Sequence, residues 1–154
     1  MLKKWPPAVN WFVSFDYFST QTEPAPYYGV IAAFSKKGTK HGDDGNRLIF
    51  LERSKDRMQM KTYVEMNNDN LHTVCYRDLG FAANEYVTIR IQQKKHGDGI
   101  IKVTLFLNGA VQCTEKNAAS QKSYENVHVW FQGSNSPQEP EVVVKNFEFG
   151  ELLE

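Results

Sequence analysis

Apolar and polar residues alternate with a period of two along most of this chain. Between Tyr86 and Asn108, Val87, Ile89 and Ile91 alternate with Tyr86, Thr88, Arg90 and Gln92. After the polar turn KKHGDG, Ile101, Val103, Leu105 and Leu107 alternate with Lys102, Thr104 and Phe106. This pattern predicts a β-hairpin with one core-forming face and one face of charged, amide and aromatic groups. A hairpin is marginal on its own in water, so its apolar face requires a second sheet to cover it.

The same period recurs elsewhere. In NWFVSFDYF, Trp11, Val13, Phe15 and Tyr17 alternate with Phe12, Ser14, Asp16 and Phe18, and the preceding Pro6-Pro7 pair keeps the entry extended. GVIAAF reads as a short buried strand, and RLIFLER and RMQMKTYVEM as a hairpin joined by SKD. LHTVCYRDL is a further strand. Asn108-Gly109 is a strong two-residue turn signal that folds AVQCTE back on TLFL. KNAASQKSYEN reads mostly as loop. In NVHVWFQG, Val127, Val129 and Phe131 share one face and His128, Trp130 and Gln132 the other, and EVVVKNFEFGEL closes the chain. About ten strands at this spacing, with no long helix, predict an all-β, antiparallel two-sheet sandwich forming one domain over residues 1–154.

Composition narrows the partners. Eighteen basic residues balance eighteen acidic ones, so no long-range field draws the chain to nucleic acid or an anionic membrane, and the partner is neutral or recognised by local contacts. A hydrophobic content of 41%, with 13% aromatic, is ample for a core. No apolar run is long enough to insert in a bilayer, and MLKKWPPAVNW lacks a secretory signal. Placement is therefore expected to be cytoplasmic, or extracellular or cell-surface for an excised domain. Cys75 and Cys113 read as two half-buried thiols, or as one disulfide in an oxidising compartment.

The order of elements resembles the concanavalin A-like jelly roll of galectins, laminin G-like domains, legume lectins and several glycan-processing families. The resemblance rests on FVSFDYF, GNRLIFLE, YVTIRI, LFLNG, VHVWFQG and the terminal VVVKNFEF, and covers nearly the whole chain. It implies that the terminal strand pairs with the first long one, NFEFGEL beside WFVSFDY. No subfamily signature accompanies it. His41, Asn46 and Arg47 lack the galectin His-x-Asn-x-Arg spacing, and the Glu-x-Asp-x-Glu strand of the retaining glucanases is absent. Glu148 and Glu151, three apart, fall on opposite faces of a strand.

Trp130 is the leading site residue, because an outward Trp flanked by polar groups suits stacking on the apolar side of a sugar ring. The alternative is a second face packed by a loop. His128, Gln132, Arg90, Gln92, Lys61 and Tyr63 join Trp130 if their strands share its sheet. The expected function is a non-catalytic, lectin-like module that binds a glycan or glycoprotein on the concave sheet. The alternatives are a laminin G-like protein-interaction or adhesion domain and a polysaccharide-processing enzyme. No cofactor is implied by a motif. Calcium is a secondary expectation at the oxygen-rich loops holding Asp43, Asp44, Asn46 and Asp69, which the resemblance to laminin G-like domains and legume lectins supports.

Overall fold

The computed structural model describes residues 1–5, 7–19, 29–35, 47–54, 57–63, 71–78, 84–117, 124–131 and 142–153; within 47–78 it defines the backbone and, of the side chains, Ile49 and Leu51. Eleven strands run through these residues: β1 (Leu2–Trp5), β2 (Trp11–Ser19), β3 (Gly29–Ser35), β4 (Arg47–Ser54), β5 (Arg57–Tyr63), β6 (Leu71–Asp78), β7 (Val87–Lys95), β8 (Ile101–Leu107), β9 (Ala110–Asn117), β10 (Tyr124–Phe131) and β11 (Val142–Glu151). They form two antiparallel sheets, six-stranded in the order β1-β10-β3-β4-β5-β6 and five-stranded in the order β11-β2-β7-β8-β9. This is the all-β, two-sheet antiparallel sandwich that the alternation predicts, with the jelly-roll architecture that the resemblance implies. Among the described residues no helix is long and apolar enough to cross a membrane.

The central hairpin is β7 and β8. Ile89, Ile91, Val103 and Leu105 are buried, and Val87 and Leu107 pack against them from the margin. Its far end closes as the side chains dictate: the Gly99 N–H donates to the His96 carbonyl, and Asp98 Oδ1 accepts the Ile100 N–H. At the next turn Asn108 and Gly109 both take positive φ, 49° and 80°, the pair of left-handed residues that a tight hairpin needs. Asn108 also bonds back to β7: its N–H donates to the Thr88 carbonyl, and its Oδ1 accepts the Thr88 N–H.

The two sheets meet through aromatic side chains. On β2, Trp11, Val13, Phe15 and Tyr17 face inward and are buried. Opposite them stand Trp5, Phe34 and Val127 of the other sheet, also buried. The Trp5 ring lies edge-on to Trp11 at 4.8 Å and to Phe34 at 4.9 Å, so one side chain joins both sheets. Phe15 and Phe131 make a second contact between the sheets at 4.9 Å. Such edge-to-face pairs add about 0.5–1.5 kcal/mol each beyond the area they bury.

β11 pairs with β2, as the resemblance implies, but not in strict alternation. Between Lys145 and Glu148 one extra residue enters the strand, and Asn146 there has φ 54°. Asparagine tolerates that left-handed conformation. The bulge shifts the parity, so Phe147 turns inward to Phe131 at 5.7 Å and Phe149 reaches Trp5 at 6.1 Å. Downstream, Glu148 registers with Ser14 and Glu151 with Trp11, on opposite faces of the strand.

Two expectations need correction, the number of strands and the free thiols, and one inward position proves to be polar. β1 is an eleventh strand, paired with β10 and carrying the buried Leu2 and Trp5. Its four residues are too few to show a period. Gln93, polar and 1% exposed, occupies an inward position, where its amide donates to the Val9 carbonyl at 2.8 Å. Two free thiols are also wrong: Cys113 on β9 is disulfide-bonded, and Cys75 on β6 is the other cysteine of the chain. β6 and β9, edge strands of different sheets, adjoin. Their linear separation of cysteines could not reveal that adjacency.

Both closures of the sandwich are testable by urea unfolding. Trp5→Ala is expected to cost about 3–5 kcal/mol, the range for deleting a buried aromatic, and Cys113→Ser about 2–4 kcal/mol. Losses below 1 kcal/mol would mean that neither contact holds the sheets together.

Candidate functional site

His128 and Trp130 lie on β10, inside the six-stranded sheet, on the side away from Val127. Being two residues apart on one strand, their side chains stand on the same face. Their rings are nearly parallel, 16° apart in plane, with centroids 6.2 Å apart. Both are half-buried, so they form a strip of aromatic surface and not a free-standing shelf. The Trp130 Nε1 atom is buried and has no hydrogen-bond partner. Ser35, in register with His128, is fully buried. The outer side of β10 and β3 is therefore partly covered, a mixture of the open face and the packed face that the sequence allowed.

Register extends this strip across the sheet. Trp130 pairs with Ala33, Ala33 with Phe50, Phe50 with Lys61, and Lys61 with Thr73. Lys61 thus falls in the cross-strand row of Trp130, three strands away, about 14 Å at ordinary strand spacing. Tyr63 follows two residues along β5, opposite Leu71. Glu52, Gln59 and Tyr76 make the next row. Phe50, Gln59, Thr73 and Tyr76 were not legible as site residues, because pairing partners leave no trace in a linear pattern.

Arg90 and Gln92 do not join this group. β7 sits between β2 and β8 in the five-stranded sheet, so their outward side chains point away from Trp130 across the thickness of the sandwich. Alternation reports which face of a strand a residue occupies and cannot report which sheet the strand enters. On that sheet the Arg90 guanidinium lies 4.4 Å above the Phe12 ring, and its Nε donates to Gln92 Oε1 at 3.2 Å. Gln132 and the loops holding Asp43, Asp44, Asn46 and Asp69 lie outside the described residues. Among the described residues no three His, Cys, Asp or Glu side chains gather as metal ligands.

Asp16 on β2 is a hydrogen-bonded carboxylate on the five-stranded face. The Thr88 hydroxyl donates to its Oδ1 and the Asn146 amide to its Oδ2, each at 2.7 Å. These two hydrogen bonds, Thr88 first, and the nearby Lys145 charge hold its carboxyl below the ordinary carboxylate range against a small opposing effect of burial. Lys145 in turn lies 3.8 Å above the Tyr86 ring. One carboxylate thereby ties β7 and the β11 bulge to β2.

Two antiparallel sheets with this strand order define a jelly-roll β-sandwich. No family model and no curated protein sequence matches the chain. Solved structures do match. A glucuronan lyase from the fungus Trichoderma reesei is similar over 93% of this chain and 68% of its own, at 14% identity and a TM-score of 0.66. The receptor-binding domain of botulinum neurotoxin type G is similar over 96% of this chain and 36% of its own, at 12% identity and a TM-score of 0.66. An alginate lyase from Aplysia kurodai is similar over 95% and 71%, at 13% identity and a TM-score of 0.56. At these identities the likeness is one of fold, consistent with the concanavalin A-like sandwich.

Asp16 yields a prediction about pH. A carboxyl with a lowered folded-state pKa stabilises the fold fully above its unfolded value, about 3.9, and loses that contribution as pH falls through the folded value. Asp16→Asn is expected to melt below wild type at pH 7, with the gap narrowing below about pH 3. A gap independent of pH would show that charge plays no part.

Proposed function

We propose that this chain is a carbohydrate-recognition module, non-catalytic and lectin-like, that takes a glycan on the outer face of the six-stranded sheet. The observation that carries the reading is the strip of His128 and Trp130 in register with Lys61. An indole flank offers the apolar surface on which the C–H face of a sugar ring stacks, and the imidazole beside it and a lysine along the row supply hydrogen bonds to hydroxyl or carboxylate groups. Lys61, Tyr63 and Gln59 widen the polar part of the face. Arg90 and Gln92 have no role in this site. The likeness of the fold to a glucuronan lyase and an alginate lyase supports a carbohydrate ligand as a class.

A second reading is favoured by one observation. Register gathers Lys61, Tyr63 and Tyr76 on the face of Trp130, and Lys and Tyr are groups able to move a proton next to a carbonyl. On that reading the chain is a polysaccharide lyase, for which incubation with polyuronates and an assay for unsaturated products is the direct test.

A glycan array decides the leading proposal. Wild-type protein is expected to bind a defined set of glycans, Trp130→Ala to lose at least tenfold in affinity, and Trp130→Phe to keep most of it. A thermal melt of each variant separates lost binding from lost folding. Binding to no glycan, or full binding by a folded Trp130→Ala protein, overturns the assignment.

A further inference from the structure

We propose that the opposite side of the sandwich, the outer face of the five-stranded sheet, carries a second site that binds an acidic polysaccharide on a row of three lysines. Lys94 on β7 pairs with Lys102 on β8, and Lys102 pairs with Lys116 on β9. Adjacent strands lie about 4.8 Å apart, so three positive charges are anchored side by side across the sheet. Like charges directly opposite one another on a sheet repel. None of the three makes an ion pair among the described residues. The Asp98 carboxylate in the adjoining turn accepts the Ile100 N–H.

The rest of the face continues the pattern. The next row outward from the lysines is Phe12, Gln92, Thr104 and Thr114, and the row beyond it holds Arg90 between Ser14 and Phe106. Rows on one face repeat about every 7 Å along a strand. Thr104 and Thr114 share a hydrogen bond at 3.0 Å and keep further capacity for donors and acceptors. The Arg90 guanidinium lies over the Phe12 ring with its Nε donating to Gln92, and its terminal N–H groups form a fork suited to a carboxylate or sulfate. The acidic side chains of this face lie toward the other end: Asp16 in register with Lys145, and Glu148 in register with Ser14. The chain is neutral as a whole and basic on this half of one face.

The occupant follows from that chemistry. A row of lysines spaced by strands, next to hydroxyl and amide groups on a flat sheet, fits a polymer that alternates anionic groups with hydroxyls. Nucleic acid is the competing polyanion, and duplex DNA serves as the control for charge alone.

The test measures binding of the intact chain to heparin, polygalacturonate, neutral dextran and duplex DNA at several salt concentrations. Heparin, polygalacturonate or both are expected to bind, binding of heparin alone pointing to sulfate and binding of polygalacturonate to carboxylate recognition, and dextran is not. Lys94→Gln/Lys102→Gln/Lys116→Gln is expected to lose at least tenfold and to flatten the salt dependence, because each lost contact releases fewer counterions. Its melting temperature should equal or exceed that of wild type, since repulsion is removed. Lys116→Glu, at an exposed edge position, should weaken binding by itself. Trp130→Ala should leave the affinity unchanged, which keeps this site distinct from the one on the six-stranded sheet. Binding to neither acidic polysaccharide, full binding by the triple variant, loss of binding in a folded Trp130→Ala protein, or equal affinity for DNA overturns the proposal.

Discussion

Trp5 is the residue on which the sandwich depends. Each sheet is wettable on its outer side and useless without a partner on its inner side, so the fold exists only where the two inner faces are held together. A short edge strand places one indole against Trp11 of one sheet and Phe34 of the other, and the Asn146 bulge then turns Phe147 and Phe149 inward to extend that seam. At the opposite margin the bonded Cys113 lies where β9 meets β6. Apolar contact closes one side of the sandwich and a covalent bond the other.

Closing the sheets in this way leaves two outer faces that cannot see each other. The six-stranded one has an aromatic and imidazole strip, partly sunk into the surface, with polar residues arrayed along the cross-strand rows. The five-stranded one has an arginine laid on a phenylalanine, a hydrogen-bonded aspartate at one end and a lysine row at the other. Stacking and direct hydrogen bonding suit the first, while charge suits the second.

Much of the architecture was legible. Ten of the eleven strands were legible, most from the period of two, β3 from its short apolar run and β9 from the Asn108-Gly109 turn, whose need for two left-handed residues is met, and the buried set of β2, β7 and β8 follows from alternation. β1 escaped because four residues show no period, and the bulge escaped because a single Asn in a strand has no distinctive pattern. Of the proposed glycan site, Trp130 and His128 were visible as outward neighbours on one strand. Arg90 and Gln92 looked equivalent to them, because each residue's alternation is a local property.

What the sequence by itself determined is therefore which side of each strand is wet. Val127, Val129 and Phe131 against His128 and Trp130 is a choice made by side-chain chemistry within eight residues, through the fixed two-residue geometry of an extended chain. Only the tertiary structure decided which wet sides coincide. Placing Lys61 in the row of Trp130, aligning Lys94, Lys102 and Lys116, and sending Arg90 to the far face are all consequences of strand order and register, which arise from long-range packing between segments far apart in the chain.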